Sequence, residues 1–227
     1  NSAPISLKSN YVRKVCEDGF NRLWVASNMG IDVINMRTMQ KISLFSEKGT
    51  EKSIENSGAQ SVIKDRNGSI WILTVEKIHK IDFDNKGNIY RLTSSKNNSS
   101  TAHAFSTIHE IDNNILVGDR GAVYIASVSQ NGDLVFKLLN EKLDFGEAVF
   151  ISSLLKKDNI LWIGVDNGLY KFLTNNNSLE HYTHSESDKN SISQDMVTNL
   201  AVFDDGTLVA GTLRGLNMYN TEKNSFS

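Results

Sequence analysis

Leu161-Trp162-Ile163-Gly164-Val165-Asp166-Asn167-Gly168-Leu169-Tyr170 decides the fold, because its pattern recurs along the chain. Its core, an apolar strand with one aromatic, has counterparts in Leu23-Trp24-Val25-Ala26 and Ile70-Trp71-Ile72-Leu73. Two more copies are Ile115-Leu116-Val117-Gly118 and Leu208-Val209-Ala210-Gly211. The second residues of these anchors stand at 24, 71, 116, 162 and 209, in steps of 47, 45, 46 and 47. A fixed period of that length marks a repeat architecture.

The flanks recur in phase. An alternating apolar run and a polar turn precede each anchor, as in residues 12–16 before Glu17-Asp18-Gly19 and 61–64 before Asp65-Arg66-Asn67-Gly68. Asp, Asn and Gly between two such runs predict hairpin turns, because they tolerate left-handed backbone. After the anchor come a second turn and a third strand, with Gly30, Gly121, Gly168 and Gly215 at the turn. The second repeat carries Lys77-Ile78 there, so its turn must be built differently. A weaker fourth strand follows, reduced to a stub at Phe226 in the last copy.

Four short strands per repeat, with no helical period in any window, predict an all-β chain folded as a β-propeller. About five four-stranded antiparallel blades are expected in one domain, near 11–45, 59–92, 105–138, 150–182 and 196–227. Residues 5–8 could supply the missing outer strand of the fifth blade and close a five-bladed ring. The favoured expectation is a piece of a larger propeller.

Composition narrows the function. The 227 residues are 39% hydrophobic and 22% charged, ordinary values for a globular protein. A net charge of −2 carries no basic stripe for nucleic acid. No apolar run reaches the roughly 18 residues of a membrane span. Cys16 is the only cysteine, which excludes an internal disulfide and any metal site built on several cysteines. The chain begins at Asn1 without a signal peptide's regions, so a trimmed or processed chain is expected and compartment is not legible in composition.

The alternating strand, Asp-x-x-Gly turn, Leu-Trp-Ile-Gly, short gap, Gly-Leu and aromatic together resemble the two-component regulator propeller repeat. Residues 161–170 carry the resemblance best, followed by Gly211-Thr212-Leu213-Arg214-Gly215-Leu216-Asn217-Met218-Tyr219 and by the connecting stretch 190–197. It covers residues 11–227, nearly the whole chain, with Lys77 and Leu116 as departures. The resemblance implies the periplasmic sensor region of a hybrid histidine kinase/response regulator of Bacteroides-type gut bacteria, with propellers of about seven blades. It implies an oligosaccharide ligand from glycan breakdown, the rest of the sensor kinase chain as partner, and room for a homodimer. No cofactor, metal or nucleic acid is expected, and no membrane span in this segment.

Residues repeated in every blade serve the scaffold, so Trp24, Trp71 and Trp162 are expected in the core. Ligand residues should be the unrepeated ones on the propeller face that gathers the loops between blades and the turns between second and third strands. The candidates are Lys77, Asp119, Arg120, Asp166 and Arg214 on the turns, with His103 and Phe105 near the central opening. The arginines could fork hydrogen bonds to a hydroxyl-rich or anionic ligand. The Asp residues could accept from hydroxyls, although turn Asp residues more often serve the backbone.

Catalytic patterns are thin. The five histidines lack metal-ligand spacing. Asp82-Phe83-Asp84-Asn85-Lys86-Gly87 starts like a calcium loop but has Lys86 at its fifth position and Thr93 at its twelfth. Two alternatives to a sensor stand: a carbohydrate-active lyase or glycosidase using carboxylates from different blades, such as Asp119 and Asp166, and a protein-interaction scaffold.

Overall fold

Strand identity follows from local chemistry. The anchors are runs of β-branched and aromatic residues bounded by Asp, Asn and Gly, which fit a pleated surface between tight turns. In a computed structural model, residues 5–43, 51–95, 105–119, 121–145 and 149–227 are described, with backbone only for 51–53. The chain is a β-propeller segment of five four-stranded antiparallel sheets, each built from consecutive strands.

The first sheet is β1 (Val12–Glu17), β2 (Arg22–Ser27), β3 (Gly30–Asn35) and β4 (Gln40–Lys41); a short α1 (Glu51–Asn56) follows. The second is β5 (Ala59–Lys64), β6 (Ile70–Thr74), β7 (Ile78–Phe83) and β8 (Ile89–Ser94). The third is β9 (Thr107–Ile111), β10 (Asn114–Asp119), β11 (Ala122–Val128) and β12 (Leu134–Leu138). The fourth is β13 (Ile151–Lys157), β14 (Ile160–Val165), β15 (Gly168–Leu173) and β16 (Ser178–Tyr182). The fifth is β17 (Val197–Val202), β18 (Leu208–Thr212), β19 (Gly215–Asn220) and β20 (Ser225–Phe226). In four of them the first strand slips register at the same place, between Val12 and Lys14, Ala59 and Ser61, Ile151 and Ser153, and Val197 and Asn199. A bulge there adds local twist to the first strand of these four blades.

Two compact units divide the chain, residues 1–115 with 126–136, and residues 116–125 with 137–227. In the first, β1 and β5 face each other and Trp24, Ile31, Ile54, Val62, Ile70 and Ile81 form a buried core. In the second, β13 meets β17 over Trp162, Leu169, Ile192, Val197, Leu208 and Phe226.

The three tryptophans are 0%, 3% and 1% exposed, as expected of scaffold. Their surroundings explain the turn residues. Asp18 accepts from the Trp24 indole at 2.7 Å and Asp65 from the Trp71 indole at 2.8 Å. The same carboxylates hold the turn amides of Phe20 and Arg22, and of Asn67 and Ser69. Each turn and its neighbouring anchor are thus tied by one buried acid. A cation also lies near each indole: Arg22, Lys80 and Lys171 stand 5.9, 5.8 and 6.0 Å from the rings of Trp24, Trp71 and Trp162. Their carboxylate partners are Asp18, Asp82 and Glu180, at 2.5, 2.6 and 3.3 Å.

Three expectations need correction. Residues 5–8 form no outer strand for the fifth sheet, which uses its own β20 paired to Tyr219 and Asn220. Lys8 instead binds the first unit, its amide donating to Asp32 at 2.8 Å and its amine to the carbonyls of Ile31 and Glu55. The chain also has a helical turn where none was expected: α1 buries Ile54 at 1% exposure, and six residues are too few to show a period. Finally, Phe105 packs in the first unit at 8% exposure, its ring 4.7 Å from that of Phe136, so it presents no open surface to a ligand.

The second repeat closes its turn as its sequence required. Thr74 donates its hydroxyl to the Lys77 carbonyl at 3.0 Å and accepts the Lys77 amide at 3.0 Å, without the positive φ of Gly30, Gly168 and Gly215. Nearby, burial pushes the His79 imidazole down to about 4, with the Lys77 charge adding to the effect. Above pH 6.5 folded and unfolded chains both hold this histidine neutral. Below that, the unfolded chain takes up a proton the folded one refuses until about pH 4. Stability should therefore fall by up to roughly 3 kcal/mol between those limits from this residue alone. Urea titrations at stepped pH on wild type and His79→Gln check it: the variant should show the shallower loss.

Candidate functional site

In the first, second and fourth blades, the turn after the second strand is stitched to the residue that leads into the first. The Asn28 amide donates to the Tyr11 carbonyl at 3.4 Å, Val75 to Gly58 at 3.0 Å and Asp166 to Phe150 at 3.1 Å. The arriving inter-blade connection and the β2–β3-type turn therefore share one end of the blade. A hydroxyl secures three of these turns, with Ser27, Thr74 and Thr212 donating to the carbonyls of Gly30, Lys77 and Gly215 at 3.0–3.2 Å.

In the first unit this end carries bare apolar side chains. Tyr11, Met29 and Val75 are 65%, 57% and 63% exposed. A Cβ on Gly58 would lie 2.8 Å from the Asn28 carbonyl and 3.3 Å from a Val75 methyl, so the two blade tips meet over this glycine. Arg13 lies 5.8 Å from the Tyr11 ring, and half-buried Lys77 borders Glu76 on the neighbouring turn. Aromatic and aliphatic surface beside a guanidinium and an ammonium can hold a ligand with apolar and hydroxyl-bearing faces.

In the second unit the same end exposes Phe150 at 52%, Met196 at 41% and Leu213 at 66%. Arg214 is exposed beside Leu213, its amide donating to the Thr212 hydroxyl at 3.2 Å. Asp166 accepts the Phe150 amide at 3.1 Å, so one carboxylate oxygen serves the backbone. Asp119 is 6% exposed and stands three residues after Leu116, where Ser27, Thr74 and Thr212 stand after their own anchors. Tyr124 nearby has its phenol pushed up, first by burial and then by the carboxylates of Asp119 and Asp144. Arg120 and His103 lie outside the described residues.

Tyr11 and Phe150 are not among the sequence candidates. Their signal was available: Tyr11 and Phe150 precede the first strand in phase, where the second blade has Gly58 and the fifth Met196. A large apolar residue at an unrepeated loop position has no scaffold reason to be there.

Other chemistry is sparse among the described residues, where no group of three His, Cys, Asp or Glu could hold a metal ion. Asp82 is taken by Lys80 and Ser69, and Asp84 by the amides of Lys86 and Asn88. The Cys16 thiol is pushed up to about 12, chiefly by burial, which keeps it protonated and unreactive. Among the described residues, no helix is long and apolar enough to cross a membrane.

Residues 6–29 match the family described as two component regulator propeller. No curated protein matches the sequence. Among solved structures, the extracellular domain of a putative hybrid two component system from B. thetaiotaomicron is 18% identical, with a TM-score of 0.72 over 95% of this chain and 28% of its own. A second such domain from the same organism is 18% identical, with a TM-score of 0.72 over 98% and 29%. Virginiamycin B lyase from Staphylococcus aureus is 14% identical, with a TM-score of 0.62 over 96% and 69%. The chain spans less than a third of each extracellular domain. These likenesses bear on the fold, which they agree in making a β-propeller.

Proposed function

We propose that this chain is a ligand-binding portion of the extracytoplasmic sensor region of a hybrid two-component signalling protein, periplasmic in location and responsive to oligosaccharides. The observation that carries the reading is the cluster of exposed, unrepeated side chains at the turn end of the blades, Tyr11, Met29 and Val75 in one unit and Phe150, Leu213 and Arg214 in the other. Such residues cost hydration without supporting the repeat. Rings that can stack, set beside forked donors, suit the mixed faces of a sugar chain. The match at residues 6–29 and the two bacterial extracellular domains support the sensory context. Signalling would pass along the chain to the kinase portion of the protein, as a change in geometry or in a homodimer.

Calorimetric titration of the full sensor region with a panel of glycan fragments tests this. One class should bind, and Tyr11→Ala or Phe150→Ala should weaken it about tenfold, the worth of one stacking ring. Silence across the panel would count against the oligosaccharide, and the same bare apolar tips would then favour a protein partner.

A further inference from the structure

We propose that the groove between the first and second sheets, at the end opposite the stitched turns, is a separate binding site for a neutral sugar ring, with Phe20 as its stacking platform. The groove holds about 540 Å³ and is formed by the Gly19-Phe20 turn, the Asn67-Gly68-Ser69 turn and the chain from Lys80 to Asn85. That volume lies within the range of small-molecule sites, about 300–1,000 Å³.

Phe20 is the decisive residue. Four places before the anchor's second residue the five blades carry Phe20, Asn67, Asp112, Asp158 and Asp205, so one aromatic interrupts a run of turn formers. Turn geometry explains Asn and Asp there and gives no reason for Phe. Its ring is 36% exposed and is held in place: Phe83 meets it edge-on at 5.7 Å, and the Arg22 guanidinium lies 4.9 Å from its centre. Phe83 is equally unrepeated, with Met36, Val128, Thr174 and Thr221 at its phase. Gly87 accommodates the platform, since a Cβ there would come within 2.8 Å of the Phe20 ring.

The rim supplies the polar half. Asn67 and Asn85 line the groove, are exposed, and have side-chain amides with no hydrogen-bond partner among the described residues. An amide offers donors and an acceptor together, which matches a hydroxyl. Of the three charges that line the groove, Lys80 pairs with Asp82 at 2.6 Å and Asp84 accepts from the Lys86 and Asn88 amides, so the lining is net negative. A rim without a spare cation does not select phosphate or carboxylate. An apolar ring under free amides instead selects a pyranose, whose C–H face stacks while its edge hydroxyls hydrogen-bond.

The second unit contains the corresponding groove and shows what the first has gained. Lys157, Asp205, Gly206 and Thr207 line it with Asn220 and Glu222, and the Lys157 amine donates to the Gly206 carbonyl. It has no ring at the phases of Phe20 and Phe83, and the tyrosine that lines it, Tyr219, is 7% exposed with its hydroxyl accepting from Lys171. The cavity is a property of the repeat; the platform belongs to one blade pair.

Amide-resolved NMR of the intact chain, titrated with methyl glycosides of glucose, galactose and mannose, tests the site. Saturable shifts are expected at Gly19, Phe20, Asn67, Gly68 and Asn85 with at least one glycoside. Phe20→Ala should weaken that binding about tenfold. Because Phe20 also packs against Phe83, Asn85→Ala is the second arm: it removes one rim amide that bonds no described residue and should weaken binding with the unfolding midpoint unchanged. Absence of shifts at these amides with all three glycosides overturns the site, as does unchanged affinity in both variants. Shifts confined to Tyr11, Asn28 and Met29 also overturn it, while leaving the turn-end reading standing.

Discussion

Asp18→Ala is expected to destabilise the protein by about 3–5 kcal/mol, the cost of leaving a buried charge without its partner. Asp18 is 3% exposed and holds four groups at once: the Arg22 guanidinium, the Trp24 indole and the backbone amides of Phe20 and Arg22. Arg22 is itself 5% exposed, and its remaining assigned bond goes to the Gly87 carbonyl at 2.7 Å. Removing the carboxylate strands a cation that water cannot reach. Asp65→Ala is the control. It holds the equivalent indole and two amides without an arginine, so its loss should cost about 1–3 kcal/mol. Urea unfolding followed by tryptophan fluorescence measures both, and equal losses would remove the buried ion pair from the account.

Leu169→Ala should cost about 2–5 kcal/mol, whereas Leu216→Ala should stay within about 0.5 kcal/mol of wild type. The two leucines occupy one repeat position, Leu169 opposite Gly164 and Leu216 opposite Gly211. Leu169 is 0% exposed in a core with Ile192 and Val197, and Leu216 is 74% exposed. Ile31 and Ile78, at the same phase, are 2% and 0% exposed. With Met218, two residues on from Leu216, also exposed, at 47%, the third strand of the fifth sheet presents an apolar face that should drive association of the isolated chain. Sedimentation should show self-association that Leu216→Asp reduces.

The repeat made the scaffold legible and left the site largely hidden. A 45–47-residue period places Trp24, Trp71 and Trp162 at one internal position, and packing between sheets then buries them. The cation beside each indole was also written there: Lys80 and Lys171 stand nine residues after Trp71 and Trp162, while blades anchored by Leu116 and Val209 carry Ile125 and Met218. The first blade hides the rule by supplying its cation from Arg22. The family match falls on residues 6–29, in the first blade, although the fourth repeat reads as the fuller motif.

Site residues are harder to read, because burial and exposure at unrepeated loop positions are set by packing and not by residue type. Asp119 looked like a ligand residue and stands where Ser27, Thr74 and Thr212 shape a turn. Phe105 looked like a rim aromatic and is held against Phe136. Tyr11 and Phe150 stand in phase just before the first strand, but their exposure, 65% and 52%, is a property of the folded blade ends. Lys77, Asp166 and Arg214 remain proposals on the turn end they share with them.

Hydrogen exchange of the full sensor region, with and without the glycan fragment that titrates, tests most directly whether unrepeated residues of the turn end make the binding surface. New protection is expected at residues 9–13, 27–30 and 74–78, or at 149–151, 165–168 and 212–215, with the anchor strands already protected and unchanged. Protection confined to the anchors, or absent from both turn sets, would contradict the account.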